Sequence, residues 1–275
     1  MEKIETNHTA LAGIFFACTE KKQKISEHIV PEHILTHIYT GKISVTTADK
    51  TYSFSAGQTA LFARNQLAKF VKEPDGETAC KSVSIFFTQP FLQQFYALNP
   101  LPNGKTKNFK IVELRPHPLL NDLFQSIETY SALNNNLMTD NLTQLKLQEA
   151  LTIVRQLNKD ADILLSDFSE PHKIDLADFM QKNFMFNIPN SRFAYLTGRS
   201  LAAFKRDFQK IFNTSSQKWL TEKRLELAHF LIVEKHVKPS QAYIDAGFKN
   251  FSHFTHAFKQ FFGYNPSAVF EPLNK

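Results

Sequence analysis

Cys18 and Cys80 are the only two cysteines in 275 residues, and no Cys-x-x-Cys spacing occurs. Such a pair is expected as reduced, buried thiols rather than as a disulfide or a thiol sensor. No run of eighteen apolar residues exists, and the N-terminus lacks a basic stretch followed by an apolar one. Neither a membrane span nor a secretion signal is therefore expected. Also missing are a Ser-His-Asp arrangement, a glycine-rich phosphate loop and a Cys/His ligand cluster of useful spacing,. These absences lead to the expectation of a cytoplasmic protein that is not an enzyme and needs no cofactor.

What is present begins with size and charge. A length of 275 residues with 43% hydrophobic content suits two domains, each with a core,. The net charge of +6 is unevenly placed. Residues 1–169 hold 17 basic and 17 acidic side chains, whereas residues 170–275 hold 15 and 9. A basic segment joined to a neutral one fits a nucleic-acid module attached to something else, although an ordinary solvated basic face would look alike.

From about residue 10 to 87 the pattern is one of short strands separated by turn residues. Leu11–Cys18, His33–Tyr39, Lys42–Thr46, Thr51–Phe54, Thr59–Phe62, Lys69–Lys72 and Ser82–Phe87 read as strands, with Gly41, Asp49, Gly57, Asn65 and Asp75-Gly76 between them. That spacing predicts an antiparallel sandwich or barrel. Residues 98–108 read as a loop, followed by an apolar stretch at Ile111–Leu114. The period then changes. Leu119, Leu120, Leu123, Phe124 and Ile127 lie at helical spacing, as do Leu142, Leu145, Leu147, Leu151 and Val154, with a polar break at Asn134–Asn136. Two amphipathic helices in sequence predict an αα-hairpin. A linker over Ser166–Lys173 marks the domain boundary.

From residue 174 the chain is helical in pattern and repeats itself at an offset of 50,. Leu201, Phe204, Phe208 and Phe212 correspond to Phe251, Phe254, Phe258 and Phe262, so each half is expected to bury one helix face through this stripe. Asn213 and Gly263 then supply a left-handed stop, and Ser215 and Asn265 can cap the next helix, with Pro266 at a first helical position. Upstream of each stripe lies a short helix ending in a glycine turn: Arg192–Thr197 before Gly198 and Ser200, and Ser240–Ala246 before Gly247 and Asn250. Helix, glycine turn and second helix is the helix-turn-helix pattern. One long helix, Ser216–Lys235, joins the halves and offers Trp219, Leu220, Leu225, Ala228 and Leu231 for burial.

Gly247-Phe248, Phe251-Ser252-His253-Phe254, Phe258-Lys259, Phe261-Phe262-Gly263 and Pro266 together resemble the signature of the AraC/XylS family of transcription regulators. The likeness covers about residues 174–270. It departs from the family at Ala242 and Tyr243, where a larger aliphatic residue and then alanine are usual. The resemblance implies an α+β protein of two domains. Residues 1–168 would be a cupin-like sensor and dimerisation domain, with an antiparallel β-barrel over about 10–115 and a helical hairpin over about 116–160. Residues 169–275 would be an all-α DNA-binding domain with two helix-turn-helix units. It further implies a sequence-specific regulator, an activator or a repressor, with double-stranded promoter DNA and RNA polymerase as partners. A small molecule or a protein would be its effector, and no membrane would be involved.

If each stripe faces inward, the outward faces of the two recognition helices are Ala202, Lys205, Arg206 and Gln209, and Ser252, His253, His256 and Lys259. Positions 202, 205, 206, 252, 253 and 256 match the family's base-contacting positions. Arg206 can grip a guanine through two bonds, Lys205 can reach a base or a phosphate, and Ala202 can touch only a thymine methyl. Ser200, Ser215, Asn250 and Asn265, at helix starts, either cap or present N–H groups to phosphates, and both can hold together. His253 and His256 lie three apart but have no third metal ligand of suitable spacing.

For the first domain three roles compete: sensing a small molecule, sensing a protein partner, or metal-dependent catalysis of the cupin type. Glu27, His28, Glu32, His33 and His37 are the ligand candidates, yet metal cupins use His-x-His followed closely by Glu, a spacing absent here. Phe15, Phe16, Tyr39, Tyr52, Phe54 and Phe62 could fill a solid core or line a pocket, so the ligand site is unknown at this point. The leucine stripes of the 118–158 hairpin are a candidate homodimer surface or a face packed on the barrel itself.

Overall fold

The computed structural model describes residues 8–11, 13–100, 110–132 and 139–270, with side chains described over 13–22, 30–100, 110–130 and 139–270. Most of the expected 98–108 loop, the break at Asn134–Asn136, and the side chains of Glu27 and His28 lie outside the described residues. The chain divides into two compact units, residues 1–169 and 170–275.

The first unit contains ten strands and four helices among its described residues. They follow as β1 (His8–Leu11), β2 (Ile14–Thr19), β3 (Gln23–Val30), β4 (His33–Thr40), β5 (Lys42–Thr46), β6 (Thr51–Ser55), β7 (Thr59–Phe62), β8 (Gln66–Glu73) and β9 (Cys80–Phe87). Then come α1 (Gln89–Leu98), β10 (Ile111–Leu114), α2 (Pro118–Ala132), α3 (Asp140–Leu157) and α4 (Lys159–Leu165). The strands form a six-stranded sheet, β1-β2-β9-β4-β7-β10, and a four-stranded sheet, β3-β8-β5-β6. Every pairing is antiparallel.

Strand alternation assigns the two faces of the larger sheet to different layers. Ile38 and Phe62 join Val30, Ile43, Val45 and Phe54 in one core. Leu35, Leu61, Val83 and Ile85 turn to the opposite side, where they pack with Leu120, Phe124, Leu147, Leu151 and Val154 of the helices. The leucine stripes of the hairpin are thus used within their own domain. Leu145, 61% exposed, and Leu119 are the members left outside.

Several elements differ from expectation. The single strand expected over Leu11–Cys18 is a hairpin turned at Gly13. Strand β3 gives no strand signal because its polar residues hide the alternation, and a register shift between Ile25 and His28 breaks it further. Helix α1 is masked in the sequence by Gln89-Pro90, which reads as a turn; in the structure Pro90 sits in the first helical turn, where a missing N–H does no harm,. Helix α4 occupies the approach to the expected linker. Asn158 caps it by accepting from Ala161 N at 3.0 Å. Tyr96 of α1 donates to the buried Asp162 of α4 at 2.6 Å, so this helix is tied to its domain by a buried polar bond,.

The second unit is helical: α5 (Leu176–Asn183), α6 (Asn190–Leu196), α7 (Leu201–Phe212), α8 (Ser216–Val233), α9 (Pro239–Asp245) and α10 (Phe251–Phe262), then a 3₁₀ turn at Pro266–Val269. The pairs α6–α7 and α9–α10 are the two helix-turn-helix units, and α8 lies between them in sequence. Helix α8 serves two cores, which is why its apolar residues do not keep to one stripe. Trp219 near its start packs edge-on against Phe208 at 5.6 Å and against Phe212 at 4.7 Å. Leu225, Ala228 and Ile232 join Phe254 and Phe258 of α10, and His229 stacks on Phe262 at 4.6 Å.

Both turn glycines have positive φ, +63° at Gly198 and +95° at Gly247. Each is also crossed closely by backbone. A Cβ at Gly198 would collide with the His172 carbonyl, and one at Gly247 with the Met185 carbonyl oxygen. The segments before and after α5 therefore lie against one turn each. Arg224 of α8 holds the second segment by donating to the carbonyls of Phe184 and Phe186, both at 2.9 Å. The unusual Ala242-Tyr243 pair also finds its packing: Ala242 is buried, and the Tyr243 ring meets Phe251 at 5.3 Å. Among the described residues, no helix is long and apolar enough to cross a membrane.

Candidate nucleic-acid interface

Helices α7 and α10 bury and expose nearly the same positions at the offset of 50. Phe204 and Phe208 are fully buried, as are Phe254 and Phe258. Phe212 and Phe262 are half-buried, and both helices end in a left-handed residue, Asn213 at φ +53° and Gly263 at φ +87°. The first member of each stripe departs from expectation. Leu201 and Phe251 are 41% and 43% exposed, because each is the first helical residue and projects beyond the core that the following turns cover.

The outward faces are as accessible as a groove-reading helix requires. Ala202, Lys205, Arg206 and Gln209 are all exposed on α7, and Ser252, His253, His256 and Lys259 are all exposed on α10. At the helix starts, Ser200 accepts from Ala203 N at 3.2 Å, Ser215 from Lys218 N at 3.4 Å and Asn250 from His253 N at 3.0 Å. These three side chains are N-caps, and each satisfies one of the first-turn amides. Asn265 differs: it precedes the 3₁₀ turn and makes no side-chain cap hydrogen bond. A 3₁₀ turn tightens the backbone and does not present the same array of first-turn N–H groups. Among the described residues no group of three or more metal-binding side chains is assembled, at His253 and His256 or elsewhere.

A part-buried ion pair, not expected from the sequence pattern, holds the first unit. The Arg199 side chain is only 7% exposed. Its Nη1 donates to the carbonyls of Ile174 at 3.0 Å and Thr197 at 2.8 Å, and its Nε to Asp207 Oδ2 at 3.1 Å. The guanidinium thus links the glycine turn, the middle of α7 and the chain leading into α5. The Arg199 hydrogen bond, then the nearby Lys173 and Arg206 charges, hold the Asp207 carboxyl below the usual carboxylate range. Arg199 precedes a cap serine and Asp207 is one position beyond Arg206, and the spacing of eight between them is the one signal of the pair in the chain.

In the first domain a cavity of about 470 Å³, open to solvent on one side, lies between the two sheets. Phe15, Phe54 and Phe62 line it, whereas Phe16 and Tyr39 pack on the helical side and Tyr52 against the inner core. The aromatic set is thus divided between pocket and solid core. Polar lining comes from Lys72, whose ammonium burial pushes below its ordinary pKa, and from Ser82 and the hydrogen-bonded pair Thr36 and Ser84, 2.9 Å apart. His33 and His37 are absent from the cavity wall. His37 stacks on Phe124 of α2 at 4.4 Å and shares a 2.9 Å hydrogen bond with Thr59. His33 Nδ1 faces Arg64 N at 3.4 Å. Burial holds both imidazoles down at about 4, with the Arg64 charge also acting on His33. Burial likewise raises the Glu32 carboxyl.

Comparison with known proteins agrees with this architecture in both units. Residues 193–271 match the model of a helix-turn-helix domain, and residues 33–166 match that of the ExsA N-terminal regulatory domain. The chain belongs to the AraC/XylS family of transcription regulators. It is similar to the HTH-type transcriptional regulator ExsA of Pseudomonas aeruginosa, 25% identical over 82% of each chain. It is also similar to the virulence regulon transcriptional activator VirF of Yersinia enterocolitica, 28% identical over 87% of this chain and 90% of that one. Among solved structures, an apo form of a ToxT point variant from Vibrio cholerae matches 94% of this chain and 97% of its own at 13% identity, with a TM-score of 0.46. As an AraC/XylS protein, the chain is a DNA-binding transcription regulator with an N-terminal regulatory domain.

Proposed function

We propose that α7 and α10 enter successive major grooves on one face of promoter DNA, roughly 10 bp apart. The observation that carries this reading is the matched burial of the two helices, which leaves equivalent faces exposed at the offset of 50. Arg206 reads a guanine through O6 and N7, Lys205 meets a base or phosphate, Ala202 a thymine methyl, and Gln209 the groove edge. Ser252, His253 and His256 give a softer readout, and Lys259 neutralises a phosphate. Ser200, Ser215 and Asn250 set the first turns of their helices so that remaining amides face the backbone, with Asn265 near the same strand. The experiment is selection of bound sequences from genomic DNA, followed by footprinting of the recovered operator. Protection of two grooves on one face is expected; a footprint confined to one groove excludes the arrangement.

The same reading makes the protein a cytoplasmic activator that contacts RNA polymerase and performs no catalysis itself. Its regulatory domain takes a small-molecule effector in the 470 Å³ cavity, a volume within the usual range for such sites,. The mainly apolar lining favours an apolar body, and Lys72 favours an acidic group on it. A ligand at a hundredfold excess over its Kd would stabilise this domain by about 2.7 kcal/mol. A protein effector would leave the domain's melting unchanged by every small molecule tried. A homodimer would use the outer hairpin face at Leu119 and Leu145, and light scattering at micromolar concentration with and without DNA tests it.

A further inference from the structure

The repeat keeps its recognition-helix caps, stripes and left-handed stops, and among the positions that differ three lie close together. At the offset of 50, Arg199 is replaced by Lys249, Arg206 by His256 and Asp207 by Ala257. In the first unit these residues form a relay. Arg199, buried and fixed by two carbonyls, holds Asp207 Oδ2 at 3.1 Å. The other oxygen, Oδ1, lies 3.5 Å from Nη2 of Arg206, while Lys173 Nζ stands 3.9 Å from Oδ2. Arg206 itself is 78% exposed.

An exposed ion pair of this kind adds little to stability. Its consequence is geometric. A long arginine on a bare helix face samples many rotamers, and binding must freeze one of them. A carboxylate anchored from behind attracts the guanidinium to one side of the helix face at ion-pair distance, leaving its N–H groups to meet a guanine edge,. We propose that Asp207 is a positioning residue for base recognition, holding the Arg206 guanidinium in the orientation that reads guanine, with Arg199 fixing Asp207 in turn. This rests on the reading of Arg206 as a base contact. The second unit lacks the whole relay and reads its half-site without it.

Two simpler roles for Asp207 predict other behaviour. A carboxylate that only repels phosphates would, once neutralised, let every DNA sequence bind more tightly by the same factor. One that only braces the helix would, once lost, weaken binding to all sequences alike. Positioning predicts a loss confined to one base pair.

The test uses the full chain, its selected operator and a panel of single-base-pair variants. Arg206→Ala first identifies the base pair whose discrimination disappears. Asp207→Asn should then reduce discrimination at that same base pair by about tenfold, within the span a bidentate guanine contact supplies, and leave the other positions sharp. Retained discrimination there overturns the positioning role while leaving Arg206 as the reader. A panel on which Arg206→Ala is flat overturns both. If Asp207→Asn does not fold, a transplant decides. The combination Lys249→Arg, His256→Arg and Ala257→Asp should give the second half-site a guanine preference about tenfold stronger than His256→Arg alone. Equal preferences overturn the proposal.

Discussion

Helices α7 and α10 expose equivalent positions, yet only α7 is tied to its own turn by a buried guanidinium. The first unit closes on Trp219 and is laced by Arg199 and Asp207. The second closes on His229, whose Nε2 lies 3.0 Å from the Tyr264 hydroxyl, and its counterpart of Arg199 is the exposed Lys249. Duplication thus preserved what builds a helix face and released what orients the side chains on it. The apolar stripe is constrained by packing, whereas the turn and outer face answer to whatever each half must bind.

The largest effect should come from the cores. Phe208→Ala and Phe258→Ala should each cost about 3–5 kcal/mol, since both rings are fully buried,. Trp219, the only tryptophan, reports on the first unit. Urea unfolding followed by its fluorescence should show a lower midpoint for Phe258→Ala as well, because α8 is common to both cores. An unchanged Trp219 midpoint in that variant would separate the units into independent folding blocks.

Next in size is readout. Arg206→Ala should lose about 1–3 kcal/mol of specific binding and relax one base pair. His256→Ala, at the matching position of the second unit, should lose less than about 1 kcal/mol, spread over the half-site, since an imidazole makes no two-bond guanine contact. Competition binding on the operator panel compares them, and equal losses would end the idea of an unequal pair. Lys259→Ala should act evenly across sequences and lower the slope of log K against log salt by about 0.9. A base-specific effect of Lys259→Ala would place it in the groove instead.

The smallest contrast lies at the helix stops. Asn213 already sits in the left-handed region at φ +53°, so Asn213→Gly should alter stability by less than about 1 kcal/mol. Gly263→Ala, at φ +87°, should cost about 1 kcal/mol or more, as an alanine there is strained,. Thermal melts of the pair would show whether the two stops tolerate exchange equally.

The helical module is legible in the chain because its signals are local and occur twice. Stripe, stop, cap and turn glycine each depend on residues within a few positions, and the second copy checks the first. The site faces follow from the same periodicity, apart from Leu201 and Phe251, whose exposure depends on where the core ends. The sandwich is less completely legible. Strand β3 is a polar-rich strand with a register shift, and helices α1 and α4 are short and flanked by residues that also suit turns. Their identity is settled by partners far away in the chain, such as the bond between Tyr96 and Asp162.

By itself the sequence determined the double helix-turn-helix, its basic charge and its two outward faces, because 3.6-residue periodicity and caps act over one or two turns. Tertiary structure decided three other things. It divided the aromatics of the first domain between a cavity and a core, spent the leucine stripes inside their own domain, and joined Arg199 to Asp207 across the turn. The first two depend on which distant surfaces meet, and the third on how the glycine turn folds back on its helix, and such contacts leave no period in the chain.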